Sequence, residues 1–290
     1  MNKNDDLGNR MKGYENISRY YLTKKTPVII RIDGKAFHTF TRGFKRPFDD
    51  VLIKAMQETA QYLCKNITGC KLAYTQSDEI SLLLVDYERN ESQPWFANNL
   101  QKMCSVSASM ATMAFNKFFA EEFDKWEHKA FERDYLGRCI ATISVAEVEL
   151  LEAYTKALNK GAMFDARVFI IPKEEVCNYF IWRQQDASRN SIQMVAQSIF
   201  SEKELNRKNT KQQQEMIFQK TGINWNNYDT VYKRGSCCIK SETTTTCASE
   251  ENGKVKTWTA ERPHWFIDKD IPIFTQDRNY IDKYVFYEKE

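Results

Sequence analysis

Histidine, proline and glycine are all scarce in this chain: 3, 6 and 10 among 290 residues. So little proline and glycine excludes collagen-like repeats and Pro-rich linker architectures. The histidines, His38, His128 and His264, are far apart in sequence. The eight cysteines (Cys64, Cys70, Cys104, Cys139, Cys177, Cys237, Cys238 and Cys247) include no Cys-x-x-Cys pair. This pattern argues against a zinc site and for buried, reduced thiols in a cytosolic protein. No run approaches the ~18 consecutive apolar residues of a membrane span. The polar start, MNKNDDLGNRMKGYE, has no secretory h-region. A soluble, cytoplasmic protein with no membrane partner is expected.

What the chain does have is ordinary globular composition: 42% hydrophobic and 28% charged residues, which excludes disordered and fibrous classes. Its 42 Lys+Arg against 39 Asp+Glu leave a net +3. That total neither implies nor excludes nucleic acid, since a basic patch can sit inside a near-neutral chain. The length suits one large domain or two modest ones.

A helical lead-in is expected over 6–24. The β-branched run Pro27-Val-Ile-Ile-Arg-Ile32 reads as a buried strand ending at Asp33-Gly34. Phe48 to Asn66 has helical apolar spacing, with Asp49 and Asp50 as cap candidates. Two apolar runs over 71–86 flank the polar Thr75-Gln-Ser-Asp-Glu79, which predicts a hairpin with a polar tip. A long helix follows over about 97–126, then a strand over 165–171. Strand, helix, strand, strand, helix, strand is the order of a ferredoxin-like βαββαβ sheet with helices on one face. That fold sets the end of the first strand beside the hairpin turn. Beyond it, 173–220 reads as helical and 232–265 as β-rich, with an Asn252-Gly253 hairpin turn. The Lys/Arg/Gln-rich 203–220 stretch is compatible with a solvated helix or an RNA-facing surface. We expect a palm-like core over 1–172 and a helical and β-hairpin part over 173–290 packed on it, with a single domain as the alternative.

The informative residues are Asp33 and Asp78-Glu79. Carboxylates gathered on one sheet edge favour a cation, and Mg²⁺ takes one or two carboxylates plus substrate phosphates. Two such ions suit phosphoryl or nucleotidyl displacement. Gly34 lets a nucleotide approach the backbone. On spacing alone, Asp-Gly is also a common turn and Asp-Glu a common solvated tip.

The segment Arg31-Ile-Asp-Gly-Lys-Ala-Phe-His38 with Tyr74-Thr-Gln-Ser-Asp-Glu79 resembles the tRNA-histidine guanylyltransferase family. Phe164-Asp-Ala-Arg-Val168, Trp182-Arg-Gln-Gln-Asp186, Ile223-Asn-Trp-Asn-Asn227 and Tyr232-Lys-Arg-Gly235 extend the likeness in order from about residue 8 to 240. The resemblance implies a polymerase-like palm, α/β in class, and a nucleotidyltransferase that adds nucleotides to tRNA 5′ ends in the 3′-to-5′ direction. It implies two Mg²⁺ ions on Asp33, the Gly34 carbonyl and Asp78. Glu79 would be an adjacent catalytic carboxylate or a structural one. It implies a GTP or ATP triphosphate cradle of Gly34, Lys35, Ala36, Phe37 and His38, joined by Ser77, Lys102 and Arg167. His38 has a packed imidazole beside Phe37 as its alternative, and Arg167 a strand-end salt bridge. Arg46 stands where the family has Lys, keeping charge but not point-like geometry. Asp49 corresponds either to a base-contacting residue or to a helix N-cap. A homotetramer is the implied assembly. One departure matters: the family's Cys-His-Ile-Asn-Asn stretch reads Ala187-Ser-Arg-Asn-Ser191 here, with Ser188 at the His position. That points to the Thg1-like branch and template-directed 5′-end repair, with addition of G at position −1 of tRNA-His as the alternative. A catalytically silent RNA-binding or nucleotide-sensing module is the alternative of another class. It would want aromatics exposed on the central strands, and 28–32 and 80–85 have none.

Overall fold

The computed structural model describes residues 6–130, 144–251 and 254–287, without side chains for 242–251 and 254–262. In chain order the elements are α1 (Asp6–Ile17), β1 (Val28–Gly34), α2 (Phe37–Phe40), α3 (Asp50–Asn66), β2 (Cys70–Gln76), β3 (Glu79–Leu84), α4 (Leu100–Ala130), α5 (Val145–Lys160), β4 (Phe164–Ile170), α6 (Lys173–Gln197), α7 (Glu202–Leu205), α8 (Thr210–Thr221), α9 (Thr230–Arg234), β5 (Ser236–Glu251), β6 (Lys254–Asp268) and α10 (Asn279–Asp282). The strands form one sheet in the order β4-β1-β3-β2-β5-β6, and every neighbouring pair is antiparallel. The first four strands have the ferredoxin-like order that the sequence predicts. The β5–β6 hairpin closes at Glu251↔Lys254; the Asn252-Gly253 turn itself lies outside the described residues, as does Cys139.

Alternation along the strands sorts the core into two layers. Val28, Ile30 and Ile32 of β1 and Ile80, Leu82 and Leu84 of β3 face α3 and α4. Ile29 and Leu83 face the opposite way, against Val176, Cys177 and Phe180 of α6 and Ile281 of α10. The two long helices that cross between strands thus share one face, as expected, and the C-terminal part covers the other. This is why the β3 run Ile80-Ser-Leu-Leu-Leu84 does not alternate in polarity: all six β3 residues are buried. It also leaves the central strands β1 and β3 no open face on which bases could stack.

Under α4, the rings of Phe37, Phe40, Phe44, Phe115, Phe119 and Tyr154 pack at centroid distances of 4.9–5.9 Å. Each fully buried ring contributes roughly 1.5–3 kcal/mol. The cluster pins the loop after β1 to the core.

Among the departures from the sequence expectation are two boundaries and one helix. The hairpin tip shrinks to Ser77-Asp78, because Thr75↔Ile80 and Gln76↔Glu79 remain paired and Thr75 Oγ1 donates to the Glu79 carbonyl at 3.0 Å. The long helix begins at Leu100 rather than near 97, because Phe96, Ala97 and Asn98 all have positive φ. The sequence reading also passed over α5. Its signals were present: Ser144 and Glu147 form a capping box and Gly161 follows the last residue.

Candidate active site

The site is built where β1 ends. Asp33 lies opposite Glu79 on β3 and Asp165 on β4. The Gly34 N–H donates to the Asp78 carbonyl at 3.1 Å, so the strand end and hairpin tip are tied together by backbone. The chain then folds back: Lys35 N–H donates to the Met163 carbonyl at 2.8 Å, and Ala36 turns through φ 54°, ψ 41° into α2. Only glycine fits at 34, since a Cβ there would meet the Phe37 ring at 2.2 Å.

This turn forms one wall of a cavity of about 540 Å³. Of the residues picked from sequence, Gly34, Ala36, Phe37, His38, Arg46, Asp49, Ser77 and Asp78 line it. His38 is exposed there rather than packed as a core imidazole. Asp33, Lys35, Glu79, Lys102 and Arg167 are off the lining. Lys102 is exposed near the start of α4, 5.9 Å from the Phe96 ring centroid. Arg167 is exposed on the edge strand opposite Arg31. The opposite wall comes from α6 and α9: Ala187, Asn190, Ser191, Met194, Tyr232, Arg234 and Gly235. These stretches carry part of the family resemblance, but nothing local in them points to this cavity. Only long-range packing sets them against the strand end. Ser188 faces a second, neighbouring cavity of about 380 Å³ instead, and Arg234 lines both.

Asp78 is half-buried, and burial, followed by the charge of Asp33, raises its pKa. Asp33 and Asp78 are two carboxylates that repel each other where the strand end meets the hairpin tip; with the Gly34 carbonyl next to Asp33 they make a hard oxygen donor set, of which Gly34 and Asp78 line the cavity. They fit Mg²⁺, whose remaining positions go to water and phosphate. Among the described residues no group of three or more His, Cys, Asp or Glu could hold a metal, so an ion here takes the rest of its oxygens from backbone, water or substrate.

Glu79 has a different character. It is 4% exposed, and its Oε1 accepts from Arg183 Nε at 2.8 Å and Ser81 Oγ at 3.3 Å. Its Oε2 is 3.0 Å from Arg31 Nε, a charge contact without hydrogen-bond alignment. Burial raises its pKa, and the two arginines oppose that. Both Glu79 oxygens are thus engaged by cationic side chains within the protein. Asp49 is likewise committed. Its Oδ1 caps α3 by accepting from Leu52 N–H at 2.9 Å, and its Oδ2 accepts from Lys45 N–H and Tyr154 O–H at 3.0 and 2.7 Å. All described cysteines are free, and all but Cys104 among them are buried. The 203–220 stretch forms α7 and α8, with Ile217 packed on α6 and its lysines exposed.

The profile of the tRNAHis guanylyltransferase family, Thg1, matches residues 8–172, and that of the Thg1 C-terminal domain matches 174–269. The chain belongs to the Thg1 family. A bacterial Thg1-like protein solved in complex with ATP superposes with a TM-score of 0.75 at 40% identity, over 97% of this chain and 99% of that one. The same kind of protein solved with GTP gives 0.70, again at 40% identity, over 98% and 100%. The tRNA(His) guanylyltransferase of Schizosaccharomyces pombe is 28% identical over 247 residues, 79% of this chain and 78% of its own. As a Thg1 family member the chain is a nucleotidyltransferase, built on the mixed α/β fold of the family. No described helix is long and apolar enough to cross a membrane.

Proposed function

We propose that this Thg1 family enzyme is a Mg²⁺-dependent 3′-to-5′ nucleotidyltransferase that repairs tRNA 5′ ends under template direction. The observation that carries the reading is the tie between Asp33-Gly34 and Asp78, whose carbonyl accepts from the Gly34 N–H, beside the 540 Å³ cavity that Gly34 and Asp78 line. Two Mg²⁺ ions bound to these oxygens and to substrate phosphates would supply charge neutralisation and Lewis acidity at phosphorus. The 34–38 turn would cradle the triphosphate, with His38, Arg46 and Ser77 offering donors to it. Tyr232, stacked on Phe48 at 4.8 Å, forms part of the far wall. In the chemistry the resemblance implies, the tRNA 5′ phosphate first attacks ATP, forming an adenylylated end and releasing pyrophosphate. The 3′-hydroxyl of the incoming NTP then attacks that 5′ phosphate, releasing AMP.

Repair is favoured over strict addition of G−1 to tRNA-His by Ser188, which occupies the position of the family's His and faces away from the main cavity. The likeness to bacterial Thg1-like proteins supports the same branch. A cytoplasmic homotetramer is the assembly we adopt from the family. The test is incubation of radiolabelled 5′-truncated tRNA and full-length tRNA-His with each NTP and Mg²⁺. Extension of the truncated tRNA with the templated base supports repair. Addition of G alone, and to tRNA-His alone, selects the other reading. An Asp78→Ala enzyme that extends 5′-triphosphorylated tRNA at the wild-type rate overturns the site assignment.

A further inference from the structure

A row of alternating charges runs inward from the strand end. Asp33 Oδ2 is 3.5 Å from an Arg31 guanidinium nitrogen, whose Nε is 3.0 Å from Glu79. Glu79 accepts from Arg183 at 2.8 Å, Arg183 donates to Asp186 at 2.7 Å, and Asp186 accepts from Arg189 at 2.9 Å. Three carboxylates and three guanidinium groups balance, and Asp78, the next residue to Glu79, is left outside the row facing the cavity. Arg183 holds the row's middle. Its side chain is 5% exposed, its guanidinium lies over the Trp182 ring at 4.3 Å, and it stands 104 residues from Glu79 in sequence. It is the point at which α6 grips the carboxylate edge.

We propose that Arg183 is a positioning residue for the divalent-cation site, acting through Glu79 and Arg31 and not through contact with substrate. The inference rests on the proposed metal role of Asp33 and Asp78. Its physical basis is competition for cations. With Arg183 in place, Glu79 has a cation on each oxygen, and Arg31 can share its charge with Asp33. Without Arg183, Oε1 of a buried carboxylate loses its charged partner. Arg31 is then drawn wholly to Glu79 and away from Asp33, or Glu79 turns toward the divalent ion itself. Either shift moves the two aspartates out of their common geometry. Partners one step behind the metal ligands orient them in this way.

The test uses the full chain with Mn²⁺ as probe, without nucleotide or RNA, reading free Mn²⁺ by electron paramagnetic resonance. Circular dichroism and thermal melting check folding. Arg183→Met is expected to weaken Mn²⁺ binding by about tenfold or more, the range for second-layer partners of metal ligands. Arg183→Lys keeps the charge but has one point donor instead of a planar fork, so about a fivefold loss is expected. Arg189→Met, at the exposed end of the row, stays within twofold of wild type. In turnover, the same Arg183 variants shift the Mg²⁺ concentration giving half-maximal rate and leave the KM for NTP nearly unchanged. Asp78→Asn serves as the reference. Mn²⁺ binding that Asp78→Asn does not weaken overturns the metal reading and this proposal with it. Asp78-dependent binding that folded Arg183→Met leaves within twofold of wild type overturns the proposal alone. If Arg183→Met does not fold, Arg183→Lys within twofold of wild type overturns it by itself.

Discussion

Gly34→Ala tests the geometry of the strand end with a single methyl group. A Cβ at this position lies 2.2, 2.5 and 2.8 Å from Cδ2, Cε2 and Cγ of Phe37, whereas carbon atoms pack at about 3.5–4.0 Å. The overlap exceeds 1 Å by this reckoning, and Phe37 is packed by three other rings. Its ring is 6% exposed and is held by Phe40, Phe115 and Phe164 at 5.1, 5.5 and 5.1 Å. Overpacking of this kind costs roughly 1–3 kcal/mol when the neighbours shift. The alternative is that the end of β1 moves by about 1 Å, carrying Asp33 and the Gly34 carbonyl with it. A misplacement of that size lowers a positioned reaction on the order of 100-fold. Urea unfolding of the variant and its rate of nucleotide addition to a 5′-triphosphorylated tRNA are the measurements. Gly34→Ala/Phe37→Leu, which trims the opposing ring, should recover part of the loss, so the two sites couple in a double-mutant cycle. A Gly34→Ala enzyme with wild-type stability and a rate within twofold of wild type refutes the argument, because Phe37 would then be free to move.

Other expectations follow from neighbouring contacts. Gly235→Ala places a Cβ 2.4 Å from the Thr75 carbonyl oxygen at φ +80°. A loss of about 1–3 kcal/mol from backbone strain alone is expected in urea titrations, and a wild-type midpoint would exclude it. Tyr154→Phe removes the 2.7 Å hydrogen bond to the Asp49 carboxylate from a residue 1% exposed. Chemical denaturation should register about 1.5–3 kcal/mol, the range for bonds to charged groups. For Asp49 itself, burial raises the pKa above 3.8 in the folded state. The folded chain therefore holds the proton more tightly than the unfolded one, so the contribution of this group to stability falls as pH rises from 3.8 through the raised value and is level above it. Asp49→Asn should remove that component, giving a less negative slope of unfolding free energy against pH in the range just above pH 3.8; identical slopes there would disprove it.

Much of this protein is legible from one dimension because its signals are local. The β-branched run into Asp33-Gly34, the polar Ser77-Asp78 tip and the cap at Asp49 each announce an element or its end within a few residues. Once the strand order is read, the topology alone brings Asp33 beside Asp78, since a ferredoxin-like sheet pairs the first strand with the third. The sequence by itself therefore determined the strand order of the palm and the approach of Asp33 to Asp78. It left Glu79 and Asp49 open, because a carboxylate's role depends on which donors reach it. Tertiary structure assigned Glu79 to Arg31 and Arg183, and Asp49 to Leu52, Lys45 and Tyr154. It also placed the wall from α6 and α9 across the cavity, and set Lys102 and Arg167 off its lining. Those outcomes come from packing between segments a hundred residues apart, where burial and charge pairing act and helical or strand periodicity carries no information.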